Sequence, residues 1–524
     1  MNSFDSETTD PVQLAHRFPN RNASERNKRS ATSHRRIFRA IIAVAFLAVI
    51  LSAVALIAGR YWIRHAIRDS LPQIDGTLSI AGLSAPVTVQ RDAQGVPHIH
   101  AATVDDLVIA QGFITAQDRL WQMDILRRHA AGELAEILGP KLVPHDRVQR
   151  ILQIRNTADH AVASLPADQL HWLQLYAQGV NDSIAAQSAH LPIEFRILRY
   201  QPAQWTPRDS ILVGLAMFQD LTNSFPQKLN REALSAKLPH ELLADLYPVG
   251  SWRDHPPMQP QIDLTNPATE FVPIPLDSTQ SKLTLPVPIP DLLALQKILS
   301  ASRCDGCISG SNNWVVSGTH TASGKPLLSN DMHLSHSVPG IWYEAGLEAG
   351  SFHAAGVTLP GFPFVIVGHN EHIAWGFTNL GADVQDVYIE HVRGSGSSAE
   401  YETPDNRWHP LLHKREIIHV RSGSDVVVDV AATQHGDAVT PLISAIFPKE
   451  KRALSLHWTI YDPNSIALPF FNINSAVDWP SFTTAFASYG GPAQNVVYAD
   501  DHGNIGYHAV GKIPIRGSIS QPAA

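Results

Sequence analysis

Polar and apolar positions divide the chain into stretches of different character. Met1 to Arg36 is polar and lacks apolar periodicity, the composition of a disordered segment. Ala40 to Gly59 is then apolar throughout except Ser52. A helix over it, at 1.5 Å per residue, reaches about 30 Å, the hydrocarbon thickness of a bilayer. Alternation next predicts a strand over Pro86–Asp92, a turn at Asp92-Ala93-Gln94-Gly95 and a return strand over Val96–His100. Thr103, with Asp106 three residues on, predicts a helix start; Leu107, Ala110, Ile114, Trp121 and Ile125 form its stripe and Gly139-Pro140 its stop. Thr206-Pro207-Arg208-Asp209 predicts a second start, an N-cap followed by Pro at the first helical position, with the helix running on through Phe218.

From Phe271 to Ser309 the pattern lapses. Pro273, Pro275, Pro286, Pro288 and Pro290 punctuate a Ser-, Thr- and Lys-filled stretch, which reads as a linker. Beyond it the chain turns strand-like. Candidates are Asn313–Ser317, Pro326–Leu328, Ile341–Leu347, Phe352–Val357, Phe364–Val367, Ile373–Phe377, Val387–Val392, Glu416–Val420, Asp425–Val430 and Ser455–Ile460. A helix follows at Trp479–Ala487, then strands at Asn495–Ala499 and Ile505–Ala509. Helices before the linker and runs of strands after it predict an α+β protein of stacked sheets covered by helices.

Charge refines this picture. Arg21, Arg26, Lys28, Arg29, Arg35, Arg36 and Arg39 precede the apolar run, against Arg60, Arg64 and Arg68 after it. The positive-inside bias predicts a single-pass anchor in an inner (cytoplasmic) membrane, with everything after Arg60 facing a periplasm. The long polar lead and long apolar run favour an uncleaved anchor; a cleaved signal peptide and a buried core helix are the alternatives. The expected organisation is a basic tail (1–39), the anchor (40–59), a juxtamembrane linker (60–82), a mainly helical segment (83–270), a spacer (271–310) and a strand-rich segment (311–524). At 524 residues with a net charge of -8, the chain carries no basic footprint for nucleic acid. Its 2 cysteines, Cys304 and Cys307, give no disulfide framework, and their Cys-x-x-Cys spacing lacks the βα context of a redox motif. His98-x-His100 reads as packing or solvation on one strand face rather than as a metal pair.

The chemistry converges on Gly310-Ser311-Asn312-Asn313-Trp314, where the disposable spacer meets a core strand. Cutting Gly310–Ser311 would make Ser311 a chain terminus, whose α-amine, with a reference pKa of about 7.7–8.0, suits general-base activation of its own hydroxyl. Asp331-x-His333-x-x-His336 admits a competing reading as a zinc-dependent hydrolase.

An ordered set of motifs resembles the penicillin acylase (penicillin amidase) family of N-terminal-nucleophile hydrolases. It runs through Gln111–Met123, Glu194-Phe195, Trp205-Thr206-Pro207-x-Asp209, Gly310–Trp314, Gly368-His369-Asn370, Ala374–Asn379, Gln494-Asn495, Tyr498-Ala499-Asp500, Gly503–Tyr507 and Ile513–Arg516. The resemblance implies an αββα sandwich and a precursor that cuts itself at Gly310–Ser311 into α and β chains. Ser311 would be the nucleophile, the Asn379 main-chain amide and the Asn495 side chain the oxyanion donors, and Arg516 an orienting cation. His333 would tune the Ser311 amine or hydroxyl, and Met217 and Phe218 would line the acyl pocket. Expected substrates are small N-acyl amides: the side chains of penicillins or cephalosporins, or acyl-homoserine lactones. No organic cofactor is implied.

The resemblance also implies calcium held by Asp383, the Gln385 carbonyl and Asp386. On the α side the family supplies a Glu, where this chain offers Ser224 or Lys228; a lysine there would take the cation's place, and Glu232 is the substitute carboxylate. The family's β segment also continues well past the matched Arg, so a truncated member is expected, with a non-catalytic remnant as the alternative.

Overall fold

A computed structural model of the chain describes residues 21–239, 242 and 310–515, apart from 335–336, 437, 448, 463–465 and 467. Most of the spacer, both cysteines, His336 and Arg516 lie outside the described residues. The chain divides after Leu71 into two units.

The first unit is α1 (Arg21–Asp69). Its Phe38–Asp69 portion is long and apolar enough to cross a membrane, a test that a signal sequence also passes. Two expectations change here. The basic stretch expected to be disordered is helical from Arg21, and the expected linker is helical to Asp69. Neither part contains Gly or Pro after Pro19 until Gly59, and the helix stops just before Pro72, whose ring disfavours helical geometry at the residue before it.

The second unit opens with β1 (Thr88–Arg91) and β2 (Pro97–Ala101), then α2 (Val104–Ala131). Thr103 Oγ1 caps α2 by accepting the Asp106 amide at 3.1 Å. The helix ends at Gly132 (φ 68°), whose amide reaches the His129 carbonyl, rather than running to Gly139-Pro140. A glycine in the left-handed region is the usual helix stop. Nor is α2 one-sided: it is buried nearly all round, polar positions included. Asp124, fully enclosed, accepts Arg127 at 2.6 Å, Arg128 at 3.0 Å and Tyr200 at 2.7 Å, as a buried carboxylate must.

Short helices α3 (Ala135–Leu138), α4 (Val143–Ile151) and α5 (Ile154–Ser164) lead to α6 (Ala167–Ala186), followed by α7 (Ile193–Leu198), α8 (Pro207–Thr222) and α9 (Phe225–Ser235). The expected capping box starts α8: the Asp209 carboxylate accepts both the amide and the hydroxyl of Thr206 at 2.7 Å. Helices α2 and α6 touch backbone to backbone through a glycine pair. A Cβ on Gly179 would stand 1.8 Å from the Ile109 carbonyl oxygen, and one on Gly112 would stand 2.2 Å from that of Tyr176.

Beyond the spacer come β3 (Gly310–Val316), β4 (Leu327–His333), β5 (Tyr343–Ala349), β6 (Phe352–Thr358), β7 (Val367–His369), β8 (Ile373–Asn379) and β9 (Gln385–Glu390). Next are β10 (Val392–Arg393), β11 (Glu400–Glu402), β12 (Trp408–Pro410), β13 (Leu412–Ile418), β14 (Val426–His435), β15 (Ala438–Pro441) and β16 (Ala453–Trp458). Helices α10 (Phe470–Asn474) and α11 (Trp479–Ala485) precede β17 (Gln494–Asp500) and β18 (Ile505–Val510). One 8-stranded sheet runs β1-β2-β5-β6-β7-β8-β17-β18. Its β2–β5 contact is parallel, so strands from both sides of the spacer share one sheet.

Over β8 and β17 the sheet is covered on both faces. Trp375, Phe377, Val496 and Tyr498 alternate onto the face under α11, where Phe482 meets Tyr498 at 5.1 Å and Phe486 meets Phe377 at 6.0 Å. Against the other face lies the β3–β4 hairpin. Asn330 of β4 accepts the Phe377 amide at 2.8 Å and donates to the Phe377 carbonyl at 2.9 Å, while Asn313 of β3 donates to the Asn495 carbonyl at 3.2 Å. Gly376 makes room, because a Cβ there would meet the Asn330 Cβ at 2.8 Å. Helix, sheet and hairpin thus form three layers; outward side chains of the hairpin, Trp314 (49%) and Leu327 (51%), are half exposed.

Gly179→Ala is expected to lower the unfolding free energy by about 1–3 kcal/mol, the usual cost of overpacking, seen as an earlier urea midpoint. An unchanged midpoint would reject the close helix contact.

A second expectation concerns acid. Burial, helped by His145 3.0 Å away, pushes the His129 imidazole down to about 3. The unfolded ring takes a proton below about pH 6.5 and the folded one does not until about pH 3. This contribution to stability is therefore present above 6.5 and declines as pH falls towards 3, by at most about 1.4 kcal/mol per pH unit. His129→Gln should flatten the stability–pH curve across that window; parallel curves would show that the ring does not stay neutral.

Candidate active site

Ser311 is the second residue of β3. It pairs with Met332, while Gly310 pairs with His333. Alternation puts Ser311, Asn313, Met332 and Asn330 on the hairpin face that meets the sheet. The Ser311 hydroxyl donates to the Gly310 carbonyl at 2.6 Å, directly across the bond expected to be cut.

Ser311 and Met332 line a cavity of about 130 Å³. Its walls come from α8 (Ile211, Leu215, Met217, Phe218, Leu221), from the sheet (Val367, Phe377, Thr378, Asn379) and from the segments around Phe470 and Tyr489. Nearly every lining side chain is apolar. Met217 and Phe218, which the resemblance expects to line an acyl pocket, border this cavity together with Ser311. The capped start of α8 fixes the rotation that turns them inward.

Asn379 closes β8 opposite Gln494 of β17. Its side chain is spent locally: Nδ2 donates to the Leu221 carbonyl at 2.9 Å, and Oδ1 accepts the Gly381 amide at 3.2 Å. Asn495 sits one residue along on β17, opposite Thr378. Its Nδ2 points toward the end of β8, at 3.3 Å from both Thr378 Oγ1 and the Asn379 carbonyl. Its Oδ1 accepts the Tyr507 hydroxyl at 2.7 Å. The Asn379 carbonyl, which can only accept, fixes the amide nitrogen toward the end of β8 and leaves the oxygen for the Tyr507 hydroxyl. Tyr507 was part of a motif in the sequence, but nothing there linked its hydroxyl to Asn495. Asn313 and Asn330, which hold the hairpin, were likewise missed as functional residues.

His333 stands apart from the Ser311 hydroxyl. It alternates onto the opposite hairpin face, where its Nε2 lies 2.8 Å from Asp331 Oδ2. It is the residue directly across from Gly310, next in register to the nitrogen that cleavage would free. Among the described residues no three His, Cys, Asp or Glu side chains converge to hold a metal ion.

The expected calcium ligands meet a different cation. Lys228 Nζ of α9 lies 2.8 Å from Asp383 Oδ2 and 3.0 Å from Asp386 Oδ1, and it donates to the Gln385 carbonyl. A calcium ion at the same oxygens would have to displace that ammonium, so the residues present do not fit the metal. Glu232, the substitute carboxylate, is paired elsewhere, its oxygens 2.5 and 3.0 Å from the Arg452 guanidinium.

A family model described as penicillin amidase matches residues 86–523. Among curated proteins, the penicillin acylase 2 proenzyme of Pseudomonas sp. (strain SE83) is 32% identical over 455 residues, covering 86% of this chain and 56% of that protein. The acyl-homoserine lactone acylase QuiP of Pseudomonas aeruginosa is 28% identical over 471 residues, covering 87% and 52%. Among solved structures, a thermostable penicillin G acylase from Alcaligenes faecalis in orthorhombic form matches with 26% identity and a TM-score of 0.33, covering 40% of this chain and 37% of that one. The chain spans about half the length of the curated relatives it matches.

Proposed function

The chain belongs to the penicillin amidase family, and from that premise we propose that it is a self-processing amidohydrolase of linear N-acyl amides. The observation that carries this reading is the convergence of Ser311, Asn379, Met217 and Phe218 on one apolar cavity, although they come from three separate stretches of sequence. A hydroxyl nucleophile, an oxyanion donor and an apolar acyl site are what amide transfer to serine requires.

In the uncut chain the Ser311 hydroxyl lies against the Gly310 carbonyl. Attack of Oγ on that carbonyl carbon shifts the Gly310 acyl group from nitrogen to oxygen, and water then hydrolyses the ester. Gly310 leaves as a carboxylate, and Ser311 keeps a free α-amine. In turnover that amine takes the hydroxyl proton while Oγ bonds to the substrate carbonyl carbon. The Asn379 main-chain N–H and Asn495 Nδ2 receive the developing oxyanion. The C–N bond breaks as the amine departs with a proton, and water releases the acid from the acyl-serine. His333, in register with the freed nitrogen, sets the basicity of the amine. Arg516 is kept as an orienting cation on the strength of the motif it ends.

The apolar walls favour an apolar acyl group. The relatives' names divide between penicillin acylases and acyl-homoserine lactone acylases, and both substrate types are linear N-acyl amides. The same family fold underlies our reading of helix, sheet and hairpin as part of an αββα sandwich. For location, the arginines before the apolar part of α1 support an inner-membrane anchor with the cavity on the periplasmic side.

Intact-mass analysis of the purified protein should find cleavage at Gly310–Ser311, and Ser311→Ala should abolish it; a chain that stays whole would sink the enzymatic reading in favour of a non-maturing remnant. In the matured enzyme, Asn495→Ala should cut kcat by about 10²–10³-fold, the loss typical of one oxyanion donor. Tyr507→Phe should lower kcat by less, with KM and cleavage kept. Full activity in Asn495→Ala would remove that residue from the site.

A further inference from the structure

The arrangement around Lys228 is a cation site whose cation is supplied by the chain. Three oxygens, Asp383 Oδ2, Asp386 Oδ1 and the Gln385 carbonyl, converge on one nitrogen. An ammonium has three N–H donors, and these three acceptors account for them. Two carboxylates and a carbonyl are also the hard oxygen ligands that calcium takes, but calcium needs six to eight of them and no positive charge among them.

The local geometry holds the lysine there. Gln385 Oε1 accepts the amides of Ser224 and Phe225 at 2.6 and 2.7 Å, so the start of α9 is fastened to the same residue whose carbonyl meets Lys228. Lys228 lies one turn beyond Ser224, its amide bonded to the Ser224 carbonyl at 3.2 Å, on the same side of the helix. The acidic loop in turn follows Asn379, whose side chain is fastened to Leu221 at the end of α8.

We propose that the Lys228 ammonium is a tethered replacement for a metal ion, fastening α9 to the Asp383–Asp386 loop and making this corner of the fold independent of calcium. Exchanging the lysine for a carboxylate converts the corner into a calcium site. The inference rests on the uncut chain, and its test reads unfolding rather than turnover, so it stands or falls separately from the role of Ser311.

Thermal unfolding of the full-length protein is to be compared in calcium and in EGTA. The wild type should melt at the same temperature in both. Lys228→Glu, with three carboxylates facing one another, should melt several degrees lower in EGTA and regain most of the loss in calcium but not in magnesium. Lys228→Met should also melt lower, with a much smaller calcium response. A wild type stabilised by calcium would overturn the proposal by showing that the metal displaces the lysine. So would Lys228→Glu and Lys228→Met proteins that melt with the wild type, because the ammonium would then hold nothing together. If Lys228→Glu can be recovered only when expressed and purified in calcium, while Lys228→Met folds without it, the proposal is supported.

Discussion

The strand that carries Ser311 is held in place by a side-chain amide acting as a piece of missing β-sheet. Strand β7 pairs with β8 only as far as Trp375, so the backbone of Phe377 lies past the end of that ladder. Asn330 fills the gap: its oxygen takes the Phe377 amide and its nitrogen reaches the Phe377 carbonyl. A primary amide presents the same acceptor–donor pair as a peptide group, and a buried backbone group left without one costs roughly 1–3 kcal/mol. The hairpin is thereby referenced to one point on β8, two residues from Asn379. The separation between Ser311 and Asn379 follows from that bond set, with Asn313 as a second contact on β17.

The sheet also joins the two sides of the spacer, so that cleavage there would leave the shape intact. Strands β1 and β2 come from before the spacer and pair with β5 from after it. Arg119 and Gln122 of α2 donate to the Gly340 carbonyl at 2.8 and 2.9 Å, and Arg150 meets Glu416 at 2.7 Å. The two sides of the spacer share one core, because α2 and the central strands belong to a single buried cluster.

Local signals were legible in the sequence wherever the cause was local. Thr103 and the Thr206–Asp209 box announced their helices, and most strands of the second half lie within a few residues of where alternation put them. The end of α2 was misjudged because Gly132 sits between Ala131 and Glu133, inside an otherwise continuous helical pattern. Its all-round burial also blurred the stripe, since polar Asp124 and Arg128 satisfy one another inside the core. The site was legible only through the motif series. Lys228 is 155 residues from Asp383, and Asn330 is 47 from Phe377; bonds across such separations leave no periodic trace in the chain.

One bond has a wider reach than its size suggests. The Asn379 side chain ties the end of α8 to the loop after β8: its Nδ2 donates to the Leu221 carbonyl and its Oδ1 accepts the Gly381 amide. Yet α8 is the helix that brings Met217 and Phe218 to the cavity, and Asn379 lines the same cavity. In the proposed reaction, the acyl-binding helix and the carbonyl-stabilising strand end would therefore be mechanically joined. If the proposed function holds, any substitution at Met217 that moved α8 would also pull on Asn379, and acyl selectivity and turnover would be coupled through that bond.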